Sequence, residues 1–195
     1  MKYFTSDLHI GDDRIGINGK PNLFYRPFES IAHQDMTILS NLQHIKEDDE
    51  LYIVGDVVYN FDNLILLNLL PKCKKFLIVG NYDEKHIEEL KPYFDEIRNC
   101  MTIKVGKFTV ELNHYPKACL DVLSRRECAD FAITGHIHGL WKVQKNLINV
   151  STDAWHFKPV SEDEILFCYN AMQNFYDENV FPYWFEKPNV GGENI

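Results

Sequence analysis

The chain has 195 residues and a mass of 22.9 kDa, is 45% hydrophobic, and carries a formal net charge of −9 at pH 7. A chain of this length buries the core of one ordinary domain, so we expect residues 1–195 to form a single domain. The acidic balance excludes a broad basic surface for nucleic-acid backbones, although a local positive pocket can still take one phosphate.

The sequence also bears on where the protein works. The first residues, MKYFTSDLHI, lack the apolar region of a signal peptide, and no stretch approaches the roughly 20 apolar residues that cross a bilayer. The five cysteines include no C-x-x-C pair, which favours reduced thiols over a disulfide framework or a zinc knuckle. We therefore predict a soluble, cytoplasmic protein that does not contact a membrane.

The first half of the chain alternates between predicted strands and helices. A strand covers Lys2 to Ser6, a long loop runs from Gly11 to Pro27, and helical spacing from Ser30 leads into the apolar run LYIV. NLILLNLL, before Pro71, is predicted to be a buried helix, and KFLIV the next strand. This alternation predicts parallel strands joined by right-handed crossovers.

The second half has a different pattern. MTIKV-GK-FTVEL and LWKVQ-KN-LINV each predict a hairpin, and Ser161 with Glu164 forms a capping box at the start of a terminal helix. The tail, at about 177–195, contains VFPYWF and is predicted to be irregular at its end. Its aromatic residues favour packing on the domain's own surface, with a homo-oligomer interface as the alternative.

Five short segments each end an apolar, β-rich run with side chains that bind metals: FTSDLHIG, YIVGDVV, LIVGNYDE, VELNHYP and AITGHIHG. Ligands that are so far apart in the chain can meet only if a sheet brings the strand ends together. If one carboxylate is shared, seven ligands supply four to each of two metals, with Asp56 as the bridge. The candidate ligands are Asp7, His9, Asp56, Asn81, His114, His136 and His138.

The ligand types indicate the metal and its chemistry. A mixed set of oxygens and imidazoles favours manganese, iron or zinc over magnesium or calcium. The absence of cysteine ligands argues against a purely structural zinc site. Two divalent metals about 3.5–4 Å apart can activate a water molecule and stabilise charge on a phosphoryl group.

The ordered motifs D-x-H, G-D, G-N-x-D, a later His and G-H-x-H resemble those of the calcineurin-like metallophosphoesterase family over residues 1 to about 160. The resemblance implies an α/β fold of four layers, with two mixed β-sheets packed face to face and flanked by helices. It also implies which ligands share a metal. Asp7, His9 and His138 would hold the first metal, Asn81, His114 and His136 the second, and Asp56 would bridge them.

Two positions depart from the family pattern. Many members carry a His at the third position of G-N-x-D and an Asp at the last position of G-D-x-x-D, whereas this chain has Tyr82 and Tyr59. A neutral phenol is a poorer general acid than an imidazolium at neutral pH, although it can donate a hydrogen bond. We therefore predict a substrate whose leaving group needs less help, which favours a phosphodiester or phosphoanhydride over a monoester.

Several other residues are candidates for contact with substrate. Arg26 is favoured over Arg14 and Lys20 on the long loop, because a guanidinium can hold two phosphate oxygens in a fork, with a solvated loop charge as the alternative for each. His156 can replace the missing acid, with a surface or core histidine as the alternative. Asp153 either bonds to a ligating His or caps a turn, and both readings stay open.

The sequence thus predicts a metal-dependent phosphoric ester hydrolase acting on a small, nucleotide-like substrate through a hydroxide that bridges the metals. Asn81 and His114 would orient the phosphate, and Tyr82 would donate a hydrogen bond near the leaving group. Two divalent ions are expected, manganese first, with iron, zinc or nickel as alternatives. The competing hypotheses are a phosphomonoesterase or protein phosphatase, and a non-catalytic metal-binding interaction module of the same fold.

Overall fold

The computed structural model of the protein describes residues 1–13, 26–123, 129–144 and 146–175. Within these residues, ten strands form two five-stranded sheets, each with parallel and antiparallel pairs. In chain order they are β1 (Lys2–Thr5), β2 (Glu50–Ile53), β3 (Lys74–Ile78), β4 (Glu96–Arg98), β5 (Cys100–Val105), β6 (Phe108–Asn113), β7 (Phe131–Thr134), β8 (Val143–Gln144), β9 (Leu147–Asn149) and β10 (Val160–Ser161).

The first sheet has the strand order β10-β1-β2-β3-β4. Strands β1 to β4 are parallel, and β10 pairs antiparallel with β1. Their connections contain α1 (Ile31–Asn41), a 3-10 helix (Phe61–Leu69), the short α2 (Ile87–Leu90) and a 3-10 turn (Lys91–Tyr93). The predicted alternation of parallel strands and helices is confirmed for this half of the chain.

The second sheet has the order β5-β6-β7-β9-β8. Both predicted hairpins are present as the antiparallel pairs β5–β6 and β8–β9. Strand β7 lies parallel to β6 and to β9, and the crossover from β6 to β7 includes α3 (Pro116–Leu123). Two hairpins flanking a parallel centre thus make this sheet mixed.

Alternate residues of β2 and the position after it show how the layers pack. Leu51 and Ile53 belong to a core cluster that includes Ile38 of α1, whereas Tyr52 and Val54 belong to a cluster between the two sheets. Both faces of the strand are buried, which explains why LYIV is apolar throughout instead of alternating. The helix α3 covers the outer face of the second sheet, where its Cys119 is buried. The predicted four-layer fold, with two mixed sheets flanked by helices, is confirmed.

The segment NLILLNLL differs from its prediction. It lies in the 3-10 helix Phe61–Leu69, and Ile65 is 65% exposed, so it is not the buried helix we expected. In a 3-10 helix, residues three apart lie above one another, so a single row faces the core. That row is Leu64, Leu67 and Leu70, which all belong to or pack against the core cluster under the first sheet.

The last helix, α4 (Glu162–Phe175), begins with the predicted capping box. The Ser161 N–H and hydroxyl donate to the Glu164 carboxylate at 2.8 and 2.7 Å, and the Glu164 N–H donates back to the Ser161 hydroxyl at 3.3 Å. None of the helices among the described residues has the length and apolar character needed to span a membrane. The tail, about 177–195, lies outside the described residues, so both its predicted packing on the domain's own surface and the alternative of a homo-oligomer interface stay predictions.

Ser161→Ala should lower the free energy of unfolding by about 1 kcal/mol, because the first turn of α4 loses its capping acceptor. Urea unfolding followed by circular dichroism measures the change. Ser40→Ala is the matched control, since Ser40 is exposed and bonds only a neighbouring carbonyl within α1; we expect it to change stability by no more than about 0.5 kcal/mol. Equal losses in the two variants would contradict a capping role.

Candidate metal centre

The seven predicted ligands lie where five strands end, at the edge shared by the two sheets. The sheets are joined there by backbone hydrogen bonds, since the Ser6 N–H donates to the Val150 carbonyl and the Thr152 N–H donates to the Ser6 carbonyl, both at 3.0 Å. Asp7 and His9 follow β1 on one side of this junction, and the ligands that follow β6 and β7 lie on the other. The fold therefore brings together side chains that are up to 131 positions apart.

Five of the seven residues have a left-handed backbone, which is rare for a residue with a side chain. Each such residue costs on the order of 1–2 kcal/mol, so the surrounding structure must impose the conformation. This conformation turns the alternating ligand side chains that follow a strand toward the same point. The five are Asp7 (φ 55°), His9 (47°), Asp56 (58°), His136 (74°) and His138 (49°).

One group of ligating atoms comes from Asp7, His9 and His138, whose side chains are all buried. Their ligand atoms lie within 4.8 Å of one another. The rings of His9 and His138 stack with centroids 5.0 Å apart, and His138 Nε2 lies 4.0 Å from Asp7 Oδ1. These three residues are the set assigned to the first metal.

His9 carries the clearest sign of a cation site. Both ring nitrogens are buried and have no hydrogen-bond partner, although Nε2 lies 3.6 Å from an Asp56 oxygen and Nδ1 lies 3.7 Å from an Asp12 oxygen. Buried polar atoms almost always have a partner, so an unsatisfied pair needs an explanation. Burial lowers the pKa of His9 to about 3, which keeps the ring neutral and able to donate a lone pair to a metal. The residues therefore fit a divalent cation.

The ligands assigned to the second metal also converge. Asn81 Oδ1 lies 3.3 Å from His114 Nε2 and 3.2 Å from His136 Nδ1. Two atoms bound to one ion at about 2.1 Å are separated by roughly 3.0–3.4 Å, so this spacing suits a shared ion. Asn81 and His136 are exposed, whereas His114 is buried, so the group opens toward solvent on one side.

Asp56 lies between the two groups. Its Oδ2 is 3.6 Å from His9 Nε2 and 3.4 Å from His114 Nε2, and its Oδ1 accepts a hydrogen bond from the Tyr82 N–H at 2.9 Å. The ligand atoms of Asp7, Asp56 and His114 also fall within 4.8 Å of one another. Asp7 therefore reaches both groups, whereas the sequence-based assignment gave it to the first metal alone.

The ionisable groups of this cluster shift one another's pKa values. Burial lowers the pKa of His114, but the hydrogen bond from its ring to Asp56 and the charges of Asp7 and Asp56 outweigh burial and raise this pKa to about 9. Burial alone would raise the pKa of Asp56, and the partnership with His114 instead lowers it. A proton on His114 thus serves as the counter-ion of the carboxylates, and a bound cation would take over that role.

Asp153 bonds to a ligating histidine, which was one of the two alternatives open from the sequence. It lies 2.8 Å from His138 Nδ1, which donates to it, and it accepts a fork of two 2.8 Å hydrogen bonds from Arg26. Burial would raise the pKa of Asp153, but the charge of Arg26 lowers it, so the carboxylate is ionised. This partner fixes the tautomer of His138 and leaves Nε2 to face the site.

Arg26 contacts groups of the protein, whereas it was predicted to contact substrate. Its side chain is fully buried, and besides Asp153 it donates to the carbonyls of Asp7 at 2.6 Å and Leu8 at 2.9 Å. The guanidinium therefore holds the D-x-H turn and does not face solvent, so direct substrate binding by Arg26 finds no support in this geometry. His156 is exposed at the end of the 3-10 helix Thr152–Trp155, and its role in substrate binding stays a prediction. The loop alternatives Arg14 and Lys20 lie outside the described residues.

Sequence reasoning assigned no role to Asp83, the last residue of G-N-x-D. Its buried carboxylate accepts hydrogen bonds from the backbone N–H groups of Gly80, Asp56 and Val57, at 2.9, 2.8 and 3.0 Å. Burial raises its pKa to about 6. Asp83 therefore fixes the turn that presents Asp56, and its place in a motif of ligands was the signal that could have identified it.

The glycines of G-D and G-N allow close approach between neighbouring motifs. A Cβ atom on Gly80 would lie 2.3 Å from Asp56 Oδ1 and 2.6 Å from the Asp56 nitrogen, and one on Gly55 would lie 2.3 Å from His114 Nδ1. Gly55 also has a φ of +89°. Side chains at these two positions would displace ligands, which explains why the motifs contain glycine.

Tyr82 lies directly beside the ligands. It is half-buried, and its ring contacts that of His9 edge to face with centroids 4.9 Å apart. The ring of Tyr59 meets Tyr82 at 5.4 Å. Tyr59 and Tyr82 are therefore in contact with each other next to the candidate metal centre.

Together, these features define an α/β protein with a candidate metal centre at the junction of two sheets. No protein-family model matches the chain, and no curated protein does either. Among solved structures, it is similar to AQ665 of Aquifex aeolicus, a protein of unknown function, with 30% sequence identity, a TM-score of 0.69, and coverage of 86% of this chain and 98% of that one. The chain belongs to the same family as the Aquifex aeolicus protein.

Two remoter structures have lower scores. One is an archaeal phosphodiesterase, with 14% identity, a TM-score of 0.45, and coverage of 77% of this chain and 81% of that one. The other is vacuolar protein sorting 29 from Cryptosporidium parvum, with 20% identity, a TM-score of 0.39, and coverage of 76% and 72%. Similarities of this size carry no argument about the function of this chain.

Gly80→Ala should weaken divalent-metal binding by at least about tenfold, because the added methyl group displaces the Asp56 carboxylate. Metal content after equilibration with Mn²⁺ and gel filtration measures the loss, and circular dichroism checks the fold. Gly139→Ala is the control, because a Cβ atom there would meet Asp153 only at an ordinary contact distance of 3.9 Å. Full metal content in Gly80→Ala would contradict the assignment of Asp56 as a ligand.

Asp153→Asn should reduce metal affinity by about 10- to 100-fold, because the amide no longer holds His138 in one tautomer or neutralises Arg26. Calorimetric titration with Mn²⁺ measures the affinity. Asp130→Asn is the matched control, since Asp130 is exposed and accepts a backbone hydrogen bond from Thr109 in the second sheet. Similar affinities in the two variants would show that Asp153 does not position His138.

Proposed function

We propose that the protein is a dimetal-dependent phosphoesterase of the calcineurin-like type that hydrolyses a phosphodiester or phosphoanhydride. The observation that carries the proposal is the convergence of all seven side chains from five separate motifs, with Asp56 Oδ2 within 3.6 Å of a histidine nitrogen in each metal group. The unpartnered ring nitrogens of His9 support it independently.

The donor set bears on the identity of the metals. The first group offers a carboxylate and two imidazoles, and the second an amide oxygen and two imidazoles, with carboxylates between them. Such a mixture favours manganese, with iron, zinc or nickel as alternatives. When bound, two divalent ions would activate water for attack on phosphorus and stabilise the charge on the phosphoryl oxygens.

The protein's own residues would orient the substrate. Asn81 and His136 form the exposed side of the centre, so a phosphate group would approach there. His114 is held by a 2.8 Å hydrogen bond from its Nδ1 to the Val54 carbonyl, which fixes the ring and aims Nε2 at the site. Asn81 and His114 would thus set the position of the phosphorus relative to the ligands.

Tyr82 supports a diester or anhydride as the substrate. Its ring lies against His9 at the edge of the site, where it can donate a hydrogen bond but is a weak proton donor at neutral pH. The leaving group of an aryl diester or anhydride needs less protonation than that of an alkyl monoester. The small substrate is therefore proposed to be a nucleotide-like diester or anhydride.

The test measures hydrolysis of bis-p-nitrophenyl phosphate and of an alkyl monoester, glycerol 2-phosphate, with added Mn²⁺. We expect the wild type to prefer the diester and Tyr82→His to raise monoesterase activity by about tenfold or more, since an imidazolium supplies the missing acid. Tyr115→His is the control, because its ring also contacts ligands of the centre, at 5.0 Å from His114 and 5.1 Å from His136, but it lies outside the G-N-x-D motif.

The outcomes separate the hypotheses. No hydrolysis of either ester despite bound metal would overturn the enzyme proposal and favour a non-catalytic metal-binding module. A preference of the wild type for the monoester would favour a phosphomonoesterase. Unchanged selectivity in Tyr82→His would show that this position does not set the preference for diesters.

A further inference from the structure

A groove with a volume of about 900 Å³ lies beside the candidate metal centre. Its walls come from the three loops that carry the D-x-H, G-D and G-N-x-D motifs, and from the exposed face of α1. Members of these loops that line it are Gly11, Asp13, Tyr59, Asn60, Phe61 and His86. Ligand sites for small molecules commonly have volumes of about 300–1,000 Å³, so the groove is large enough for a nucleoside.

The groove adjoins the candidate metal centre at two tyrosines. Tyr59 lines the groove and contacts Tyr82, and Tyr82 contacts the ligand His9. The backbone connects them as well, since the Tyr59 N–H donates to the carbonyl of Ile10, the residue after His9, at 3.0 Å. A phosphate at the candidate metal centre would therefore have its organic group close to the groove.

The lining favours an uncharged group. Ile31, Ala32 and Met36 form an apolar side, and Met36 is 50% exposed. The polar groups are the amides of Asn60 and Asn63 and the carboxylates of Asp13 and Asp35. The carboxylates and amide oxygens would attract N–H donors, and the carboxylates would repel a second phosphate group.

One wall of the groove is aromatic. The rings of Phe61 and His86 stack at 3.6 Å with an interplanar angle of 21°. His86 is the N-cap residue of α2, and its side chain is 37% exposed. A flat ring bound in the groove would pack against this pair, which is how proteins often hold a base.

We propose that this groove binds the base of a nucleoside whose 5′-phosphodiester is hydrolysed at the metal centre. The reaction in this inference rests on the proposed function. The binding of the base rests on the groove alone. Recognition is assigned to an uncharged planar ring with N–H donors.

The first test compares two esters with the same leaving group, adenosine 5′-(p-nitrophenyl phosphate) and methyl p-nitrophenyl phosphate. We expect the wild type to have a kcat/KM about tenfold higher or more for the adenosine ester, as expected for one stacked ring. His86→Ala should bring the ratio of the two values close to one. His44→Ala is the matched control and should keep the wild-type ratio, because His44 is an exposed histidine that packs on Tyr3 away from the groove.

The second test needs no catalysis. Saturation-transfer NMR of the metal-free protein with adenosine should show transfer to the base protons in the wild type and in His44→Ala, and a loss in His86→Ala. If neither ester is hydrolysed, the proposed function fails and this measurement still decides the groove. Equal kcat/KM values for the two esters in an active enzyme, or absence of saturation transfer, would overturn the assignment of the groove.

Discussion

The Asp56 carboxylate lies between the two halves of the candidate metal centre. One oxygen lies between a histidine from the first sheet and a histidine from the second, and the other accepts the Tyr82 N–H. The residue itself is held in a left-handed conformation by Asp83, which binds its N–H. Because Gly80 leaves no Cβ in its way, the carboxylate can reach both groups of ligands.

The surroundings of the ligands explain how so strained a site can persist. Hydrogen bonds hold the backbone at several of the left-handed residues: the Asp7 N–H donates to the Gly55 carbonyl, the His9 N–H to the Asp56 carbonyl, and the His136 N–H to the Asp7 carboxylate. Arg26 then fastens the D-x-H turn to Asp153 and so to His138, across the junction of the sheets. Buried charges are tolerated because each has a partner, and a cation would supply the partner that the ring of His9 lacks.

The order of motifs allowed much of this to be predicted. The candidate ligands at strand ends follow from local sequence, since an apolar run followed by G-D or G-H-x-H can be recognised without knowing which strands lie beside it. The two hairpins and the capping box of α4 are also local, and both were confirmed. Prediction was less successful at NLILLNLL, because the choice between an α-helix and a 3-10 helix depends on how the segment packs against the sheet.

The sequence by itself thus determined the first parallel strands, the two hairpins, the capped terminal helix and the seven ligand candidates, because each rests on residues that are close in the chain. Only the tertiary structure decided which side chains from distant parts of the chain contact one another. Arg26 was predicted to face substrate and instead lies buried between Asp7, Leu8 and Asp153, contacts that span up to 127 positions. The contact of Tyr59 with Tyr82 and the groove beside them were likewise decided by packing, since the shape of a space between loops depends on all the loops that enclose it.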